Sequence, residues 1–297
     1  MTAGEGAARG GAATHREAPE APGRPRAMSD KDFQRFAEFI GKECGIKLPP
    51  TKKVMLEARL HKRLRALGFA DYAQYSEFLF SPQGLESELG HLIDQVTTNT
   101  TDFFREPRHF EFLRTRVLPE WHARHRGRPL RVWSAGCSIG AEPYTLAMVL
   151  CEFREERPDF RFEIVATDIS RQVLQKAHGA VYTEDQARGV PEALMRKYFL
   201  RSKDRTRRLV RLVPEVRRCV EFRWLNFMEE FGFREPHDII FCRNVIIYFD
   251  KPTQHDLLSR FCRNLRSGGH LFIGHSESLA GMALPLAQAA PTIYRKP

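Results

Sequence analysis

No stretch of this 297-residue chain approaches the roughly 18 apolar residues of a membrane-spanning helix, and its first residues lack the apolar core of a secretory signal. Both absences point to a cytoplasmic protein without membrane insertion. Cysteine is scarce: the six residues at 44, 137, 151, 219, 242 and 262 include no C-x-x-C pair, which excludes the usual zinc-ligand spacings and a disulfide framework. Several lie in apolar strand or helix patterns and read as reduced core residues, and Cys137, in a tight turn with no base beside it, reads as a small packing residue. No metal is expected. Acidic residues are outnumbered 37 to 47 by Lys and Arg, so a net charge of +10 draws the chain toward something acidic. The excess gathers around Lys52 to Arg65 and Arg201 to Arg218, and neither segment has the interleaved aromatics of a single-strand nucleic-acid platform. Residues 1–28, rich in Gly, Ala, Pro, Glu and Arg, show no hydrophobic period and are expected to be a disordered tail.

Order begins near Met28. Ser29-Asp30 can cap a helix carrying Phe33, Phe36, Ala37 and Ile40 at three- and four-residue intervals. A second helix follows Pro49-Pro50, with Met55, Leu56, Leu60, Leu64 and Leu67 as its apolar stripe and Gly68 as its stop. Further helices are predicted over 72–79, 85–96 and 107–124. From 130 the pattern turns to strands at 130–136, 162–169, 220–226, 238–243 and 269–275, alternating with helices at 142–154, 170–178 and 252–266. That alternation predicts a doubly wound, mostly parallel sheet. The stretch 200–218 interrupts it, and Leu209-Val-Arg-Leu-Val213 reads as a short strand of a small antiparallel insertion. The predicted organisation is a tail over 1–28, a helical domain over 29–106, a linker helix over 107–129 and an α/β domain over 130–297.

The most informative segment is Arg131-Val-Trp-Ser-Ala-Gly-Cys-Ser-Ile-Gly-Ala-Glu-Pro-Tyr144, a strand running through a glycine turn into a helix opened by Glu142 and Pro143. Its G-x-x-x-G spacing is not the G-x-G-x-x-G of a dinucleotide fingerprint, and an acid occupies the helix end that would receive a pyrophosphate. A cationic, phosphate-free ligand suits it better. Asp168 closes the next strand, where a carboxylate accepts hydrogen bonds from a ribose diol. A ribose-bearing sulfonium, S-adenosylmethionine, meets both conditions. An ordinary α/β domain with an incidental acid at a strand end fits these two features as well.

Three more clusters bear on the choice: Thr97-Thr-Asn-Thr-Thr-Asp-Phe-Phe-Arg-Glu106, Trp224-Leu-Asn-Phe227 and Phe241-Cys-Arg-Asn-Val-Ile-Ile-Tyr-Phe-Asp250. With the glycine turn and Asp168, this set closely resembles the chemotaxis receptor methyltransferases, the CheR family of protein-glutamate O-methyltransferases, from about residue 28 to the C-terminus. The resemblance implies a class I S-adenosylmethionine-dependent methyltransferase fold with a helical N-terminal domain. It implies that Asn99, Thr101 and Arg105 contribute to the cofactor pocket, that Ala135 and Glu142 contact the methionine portion, and that Asp168 holds the ribose. It further implies that Asn226 and Phe227 flank the adenine and that Arg243 and Tyr248 belong to the site floor. Family members usually have Leu where Phe227 stands and a second acid where Ala141 stands.

A glutamate carboxylate is already a nucleophile at neutral pH, so attack on a sulfonium methyl needs positioning more than a general base. Arg105 and Tyr248 are the expected catalytic residues, and His275 in Gly-His-Ser-Glu277 has no evident task beyond a structural one. The expected product is S-adenosylhomocysteine. The implied partner of a monomeric enzyme is the acidic helical cytoplasmic domain of a chemoreceptor, met by Arg59, Lys62, Arg63 and Arg65. Family members that tether to a receptor's C-terminal pentapeptide carry a glycine-containing loop in the antiparallel insertion, whereas this chain has Arg201-Ser-Lys-Asp-Arg-Thr-Arg-Arg208. Independence of such tethering is therefore expected. Two other readings use the same fold: an RNA methyltransferase, against which the Asn/Asp-Pro-Pro-Tyr/Phe signature is absent, and a catalytically silent receptor-binding module.

Overall fold

The computed structural model describes residues 27–297, apart from the side chain of Arg205. Most of the predicted tail thus lies outside the described residues. Order is in place at Met28, which is buried and whose N–H donates to Glu57 Oε1 at 2.7 Å.

Helix α1 (Asp30–Cys44) starts where the Ser29 hydroxyl accepts from the Asp32 N–H and stops at Gly45, whose φ of 72° continues no helix. Next come α2 (Lys53–Leu67), α3 (Tyr72–Leu79), α4 (Pro82–Ser87) and α5 (Leu89–Val96). In α2 the buried stripe narrows to Leu56, Leu60 and Leu64, at four-residue spacing. Leu67, in the last turn before the Gly68 cap, faces solvent, and Met55 lies at the margin. The single helix predicted over 85–96 is broken around Glu88, whose buried carboxylate takes Arg63 at 2.5 and 2.6 Å and the Tyr75 hydroxyl at 3.0 Å.

Residues 107–124 form α6 (Pro107–Phe112) and α7 (Leu118–Arg124) joined by a π-helical turn. The segment is no free linker, because Phe110, Leu113, Val117 and Leu118 are buried in the core of the α/β domain. That domain continues through β1 (Leu130–Ala135), α8 (Ala141–Glu156), β2 (Phe162–Asp168), α9 (Arg171–Gly179), β3 (Val181–Thr183), α10 (Glu192–Tyr198), β4 (Phe199–Arg201), β5 (Leu209–Leu212), α11 (Pro214–Arg217), β6 (Val220–Trp224), β7 (His237–Cys242), α12 (Lys251–Asn264), β8 (Leu265–Ile273), β9 (Ala287–Ala290) and β10 (Ile293–Arg295). The main sheet runs β6-β2-β1-β7-β8-β10-β9, parallel through β8 and antiparallel at β10 and β9. A separate antiparallel sheet, β3-β5-β4, is the predicted insertion, begun earlier in the chain than 200.

Strand alternation divides the core in two. Val132, Ile239, Phe241 and Phe272 pack with α8, while Trp133, Ile240, Leu271 and Ile273 pack with α12 on the other face. Trp133 anchors the second cluster, with its ring nitrogen donating to Thr167 Oγ1 at 2.9 Å. The chain leaves β1 toward β2 on one side and reaches β7 on the other, so the strand order reverses at β1. A cleft opens there, above the C-terminal strand ends. The helical domain closes over it through three ties: Ser170 Oγ to Asp94 Oδ1 at 2.6 Å, Asn226 Nδ2 to the Glu43 carbonyl at 2.7 Å, and the Lys47 N–H to the Tyr248 carbonyl at 2.9 Å.

The cysteines are free thiols, with one relation the spacing did not show: Cys151 on α8 and Cys219 before β6 bring their sulfurs to 3.9 Å.

Candidate active site

The cleft's floor is the glycine turn. Gly136 has φ 79°, and a Cβ there would come within 2.5 Å of a Val245 methyl, so both conformation and contact require glycine. After it the backbone returns so that the Ser138 N–H donates to Asp168 Oδ2 at 2.8 Å, while the Ser170 N–H donates to Oδ1 at 2.9 Å. These bonds fix the Asp168 carboxylate at the β2 terminus, lining the cavity. Burial pushes its pKa up to about 6, against the pull of the two amides.

Glu142 enters from the first turn of α8. Its Oε1 accepts from Ser134 Oγ at 2.7 Å and its Oε2 takes Arg243 Nη1 at 3.2 Å. Burial raises its pKa, and Arg243 and Ser134 oppose that rise. Arg243, almost wholly buried at the end of β7, also meets Glu106 Oε2 at 3.0 Å and donates to the Arg105 carbonyl. One guanidinium thus locks the 99–106 segment to the sheet.

That segment forms the cavity's rim. Asn99, Thr101 and Arg105 all line it, and Ser138 Oγ donates to the Asn99 carbonyl at 2.9 Å. Arg105 donates to the Thr100 carbonyl at 3.2 Å and keeps the rest of its guanidinium available to the cavity. Asn226 and Phe227 line the opposite wall after β6, where the Asn226 side-chain oxygen accepts from the Met228 N–H at 3.0 Å. Tyr248 lines the cavity from the loop after β7. Ala135 is the exception among the expected pocket residues, since its side chain is buried in the α12-side core and does not line the cavity.

The four α2 residues expected to meet a receptor divide. Lys62 and Arg65 are exposed. Arg63 is spent on Glu88, and Arg59 caps the end of α5, donating to the Gln95, Val96 and Thr97 carbonyls at 2.8 to 3.2 Å.

Sequence reasoning missed two carboxylates. Glu106 ends the predicted Thr-Thr-Asn cluster yet was given no role, and its left-handed backbone, φ 57°, carries no sequence mark. Glu277 stands two residues after His275 in Gly-His-Ser-Glu277, with nothing in the local pattern to mark it. It accepts N–H bonds from Asn244, Val245, Ile246 and Gly274 at 2.6 to 3.0 Å, and so shapes the loop that delivers Val245 and Tyr248.

Two family models match this chain: "CheR methyltransferase, all-alpha domain" over residues 31–97 and "CheR methyltransferase, SAM binding domain" over residues 99–294. The chain belongs to the CheR methyltransferase family. It is 38% identical to a chemotaxis protein methyltransferase of Borreliella burgdorferi, covering 91% of this chain and 95% of that protein. It is also 38% identical to one of Escherichia coli, covering 90% and 91%, and 39% identical to one of Salmonella typhimurium over the same shares. As a CheR family methyltransferase, it carries an S-adenosylmethionine-binding domain, and the donor set of the cleft fits that ligand. Two carboxylates, Glu142 and Asp168, face a cavity whose other wall is apolar at Ile46, Phe227 and Phe249, and the cation at the start of α8, Arg243, is already paired with Glu142 and Glu106. Among the described residues no helix is long and apolar enough to cross a membrane.

Proposed function

We propose that this chain transfers the methyl group of S-adenosylmethionine to glutamate side-chain carboxylates on acidic helical segments of chemoreceptors, yielding glutamyl methyl esters and S-adenosylhomocysteine. The observation that carries this is the composition of the cavity mouth: Arg105 and Tyr248 line it, and no described histidine does. A carboxylate acceptor needs a cation to orient it and no base to activate it.

Asp168 would take the ribose hydroxyls, Glu142 would balance the positive charge of the methionine portion, and Phe227 and Asn226 would bound the adenine. When bound, the cofactor supplies an electrophilic methyl group. Arg105 would then steer the incoming carboxylate into line with that methyl, and the Tyr248 hydroxyl would hydrogen-bond to the acceptor or line its channel. Arg243 positions Glu142 and the Arg105 backbone from behind. The chain is read as a cytoplasmic monomer that meets an acidic receptor helix through the exposed charges of α2.

The test is a filter assay with tritiated methyl donor, comparing receptor-bearing membranes with RNA as acceptor. The expected product is base-labile and releases methanol. Alkali-stable label, or label in RNA, would exclude a glutamyl ester. Arg105→Ala should lower turnover by about tenfold or more at unchanged melting temperature, because it removes orientation in the transition state rather than packing. Wild-type turnover by the folded variant would remove Arg105 from the mechanism.

A further inference from the structure

Behind Arg243, on the side away from the cavity, three side chains converge: Glu106 and His109 at the start of α6, and His275 just after β8. The buried histidine has one hydrogen-bond partner, on its outer side. Thr292 Oγ1 spends its proton on the Pro291 carbonyl at 2.7 Å and stands 2.8 Å from His109 Nε2. With that hydroxyl turned to Pro291, His109 Nε2 can donate in the contact, a tautomer that leaves Nδ1 as the lone-pair nitrogen.

That lone pair has no hydrogen-bond partner and faces Glu106 Oε2 at 3.5 Å. Two acceptors thus confront each other in a buried place. Glu106 cannot relax easily away. Its backbone sits at φ 57°, ψ 65°, its Oε1 accepts the His275 N–H at 3.2 Å, and its Oε2 also meets Arg243 at 3.0 Å. His275 Nε2 completes the group, 3.8 Å from Glu106 Oε2, and all three donor atoms lie within 4.8 Å of one another.

We propose that Glu106, His109 and His275 form a binding site for a divalent first-row transition-metal ion, with zinc the ion that two imidazoles and one carboxylate suit best. Donors around a tetrahedral zinc stand about 3.3–3.5 Å apart, so the present spacings need only small adjustments. Thr292 supplies the outer hydrogen bond that ligating histidines ordinarily make, and it leaves the correct nitrogen free. His275, with half its side chain exposed, gives the ion a path from solvent and leaves a fourth position to water. The site adjoins the cavity through one group, since Arg243 bridges Glu106 and Glu142. Methyl transfer as proposed above does not require the ion, so the site stands or falls independently of that reaction.

Cobalt(II) is the probe, titrated into the full-length untagged protein and followed by visible absorption. One equivalent should bind with d–d bands of a four- or five-coordinate ion, lack the near-ultraviolet thiolate charge-transfer band, and be displaced by zinc. His275→Ala removes a half-exposed side chain and should fold normally by circular dichroism while weakening binding by at least about tenfold. Glu106→Gln provides a second arm, with the same weakening expected. Absence of the bands at millimolar cobalt, a thiolate band, or binding unchanged in folded His275→Ala would each overturn the proposal.

Discussion

Asp168, proposed above to take the ribose hydroxyls, would couple ligand and proton through one carboxylate. It is buried at the β2 terminus, held by the Ser138 and Ser170 N–H groups, and faced by the Asp94 carboxylate of α5, whose charge adds to the rise in its pKa to about 6. A ribose diol donating to it favours the charged form. Binding below about pH 6 must therefore expel a proton, and S-adenosylhomocysteine affinity should fall as pH drops through 6 and level off above it. Stability runs the other way for this residue. A folded pKa above the ordinary aspartate value of 3.8 contributes stability that is present below 3.8 and lost as pH rises through about 6. His109, His237 and His270, each lowered to about 4 mainly by burial, contribute stability above 6.5 that is lost as pH falls toward 4. Melting curves mix these opposed effects, so calorimetric titration with S-adenosylhomocysteine from pH 5 to 8 is the cleaner measurement. Asp168→Ala should weaken binding about tenfold at pH 7.5 and abolish the step near 6, as expected for loss of a charge-assisted bond of about 1.5–3 kcal/mol. An affinity flat across that range in wild type would contradict the coupling. Asp168 was legible in the sequence because it closes a strand of clear apolar pattern. Glu106 was not, because its importance comes from Arg243, which lies 137 residues away.

At the scale of elements, the loop between β7 and α12 illustrates what short-range pattern leaves out. Val245 seals the glycine turn and Tyr248 lines the cavity, yet the loop has little regular hydrogen bonding of its own. Glu277 supplies what is missing, as a buried carboxylate receiving four backbone N–H groups. Its pKa is raised by burial, with those N–H groups working against the rise. Glu277→Ala would leave several of them unpaired and should cost about 3 kcal/mol, a fall in melting temperature of roughly 5–10 °C, with weaker cofactor binding alongside. A melting temperature within a degree or two of wild type would show that the loop holds itself. Strands β1, β2, β7 and β8 could be read because each carries an apolar run buried on both faces, and β6, at the sheet edge, because Val220, Phe222 and Trp224 alternate with Glu221 and Arg223. Strands β3, β4 and β10, with three residues each, span too few positions to show a period, and β9 is four small or polar residues at an exposed edge. The break at Glu88 and the π-helical turn in 113–117 were hidden for a different reason, since both answer to tertiary packing rather than local propensity.

Across the whole molecule, the surplus of positive charge bears on how the acceptor is reached. In the β4–β5 hairpin, Arg207 pairs with Asp204 at 3.2 Å, and Arg208 reaches Glu184 in the turn after β3 at 3.4 Å, so part of the loop's charge is answered locally. Arg208 also adopts φ 47°, a left-handed turn position where glycine would sit without strain. On the reading proposed above, such a hairpin would offer little to a pentapeptide adding along its backbone, and recognition would fall to the helical domain. There Arg59 and Arg63 are committed to α5 and Glu88, and Lys62 and Arg65 remain exposed. Reversing Arg59 or Arg63 would unfold the domain's interior contacts and say nothing about recognition. Lys62→Glu with Arg65→Glu removes only surface charge and should leave cofactor affinity and melting temperature unchanged. It should raise KM for an acidic receptor fragment about threefold to tenfold, since exposed pairs contribute roughly 0.2–1 kcal/mol each and like-charge contacts add to the loss. Wild-type KM should rise with salt, because exposed charges are screened over about 8–10 Å at physiological ionic strength, and the variant should lose most of that dependence. Methylation rates of a receptor lacking its C-terminal tail check both points. A salt-independent KM, or micromolar binding of a tail peptide abolished by changes at 202–208, would move the docking surface from α2 to the hairpin.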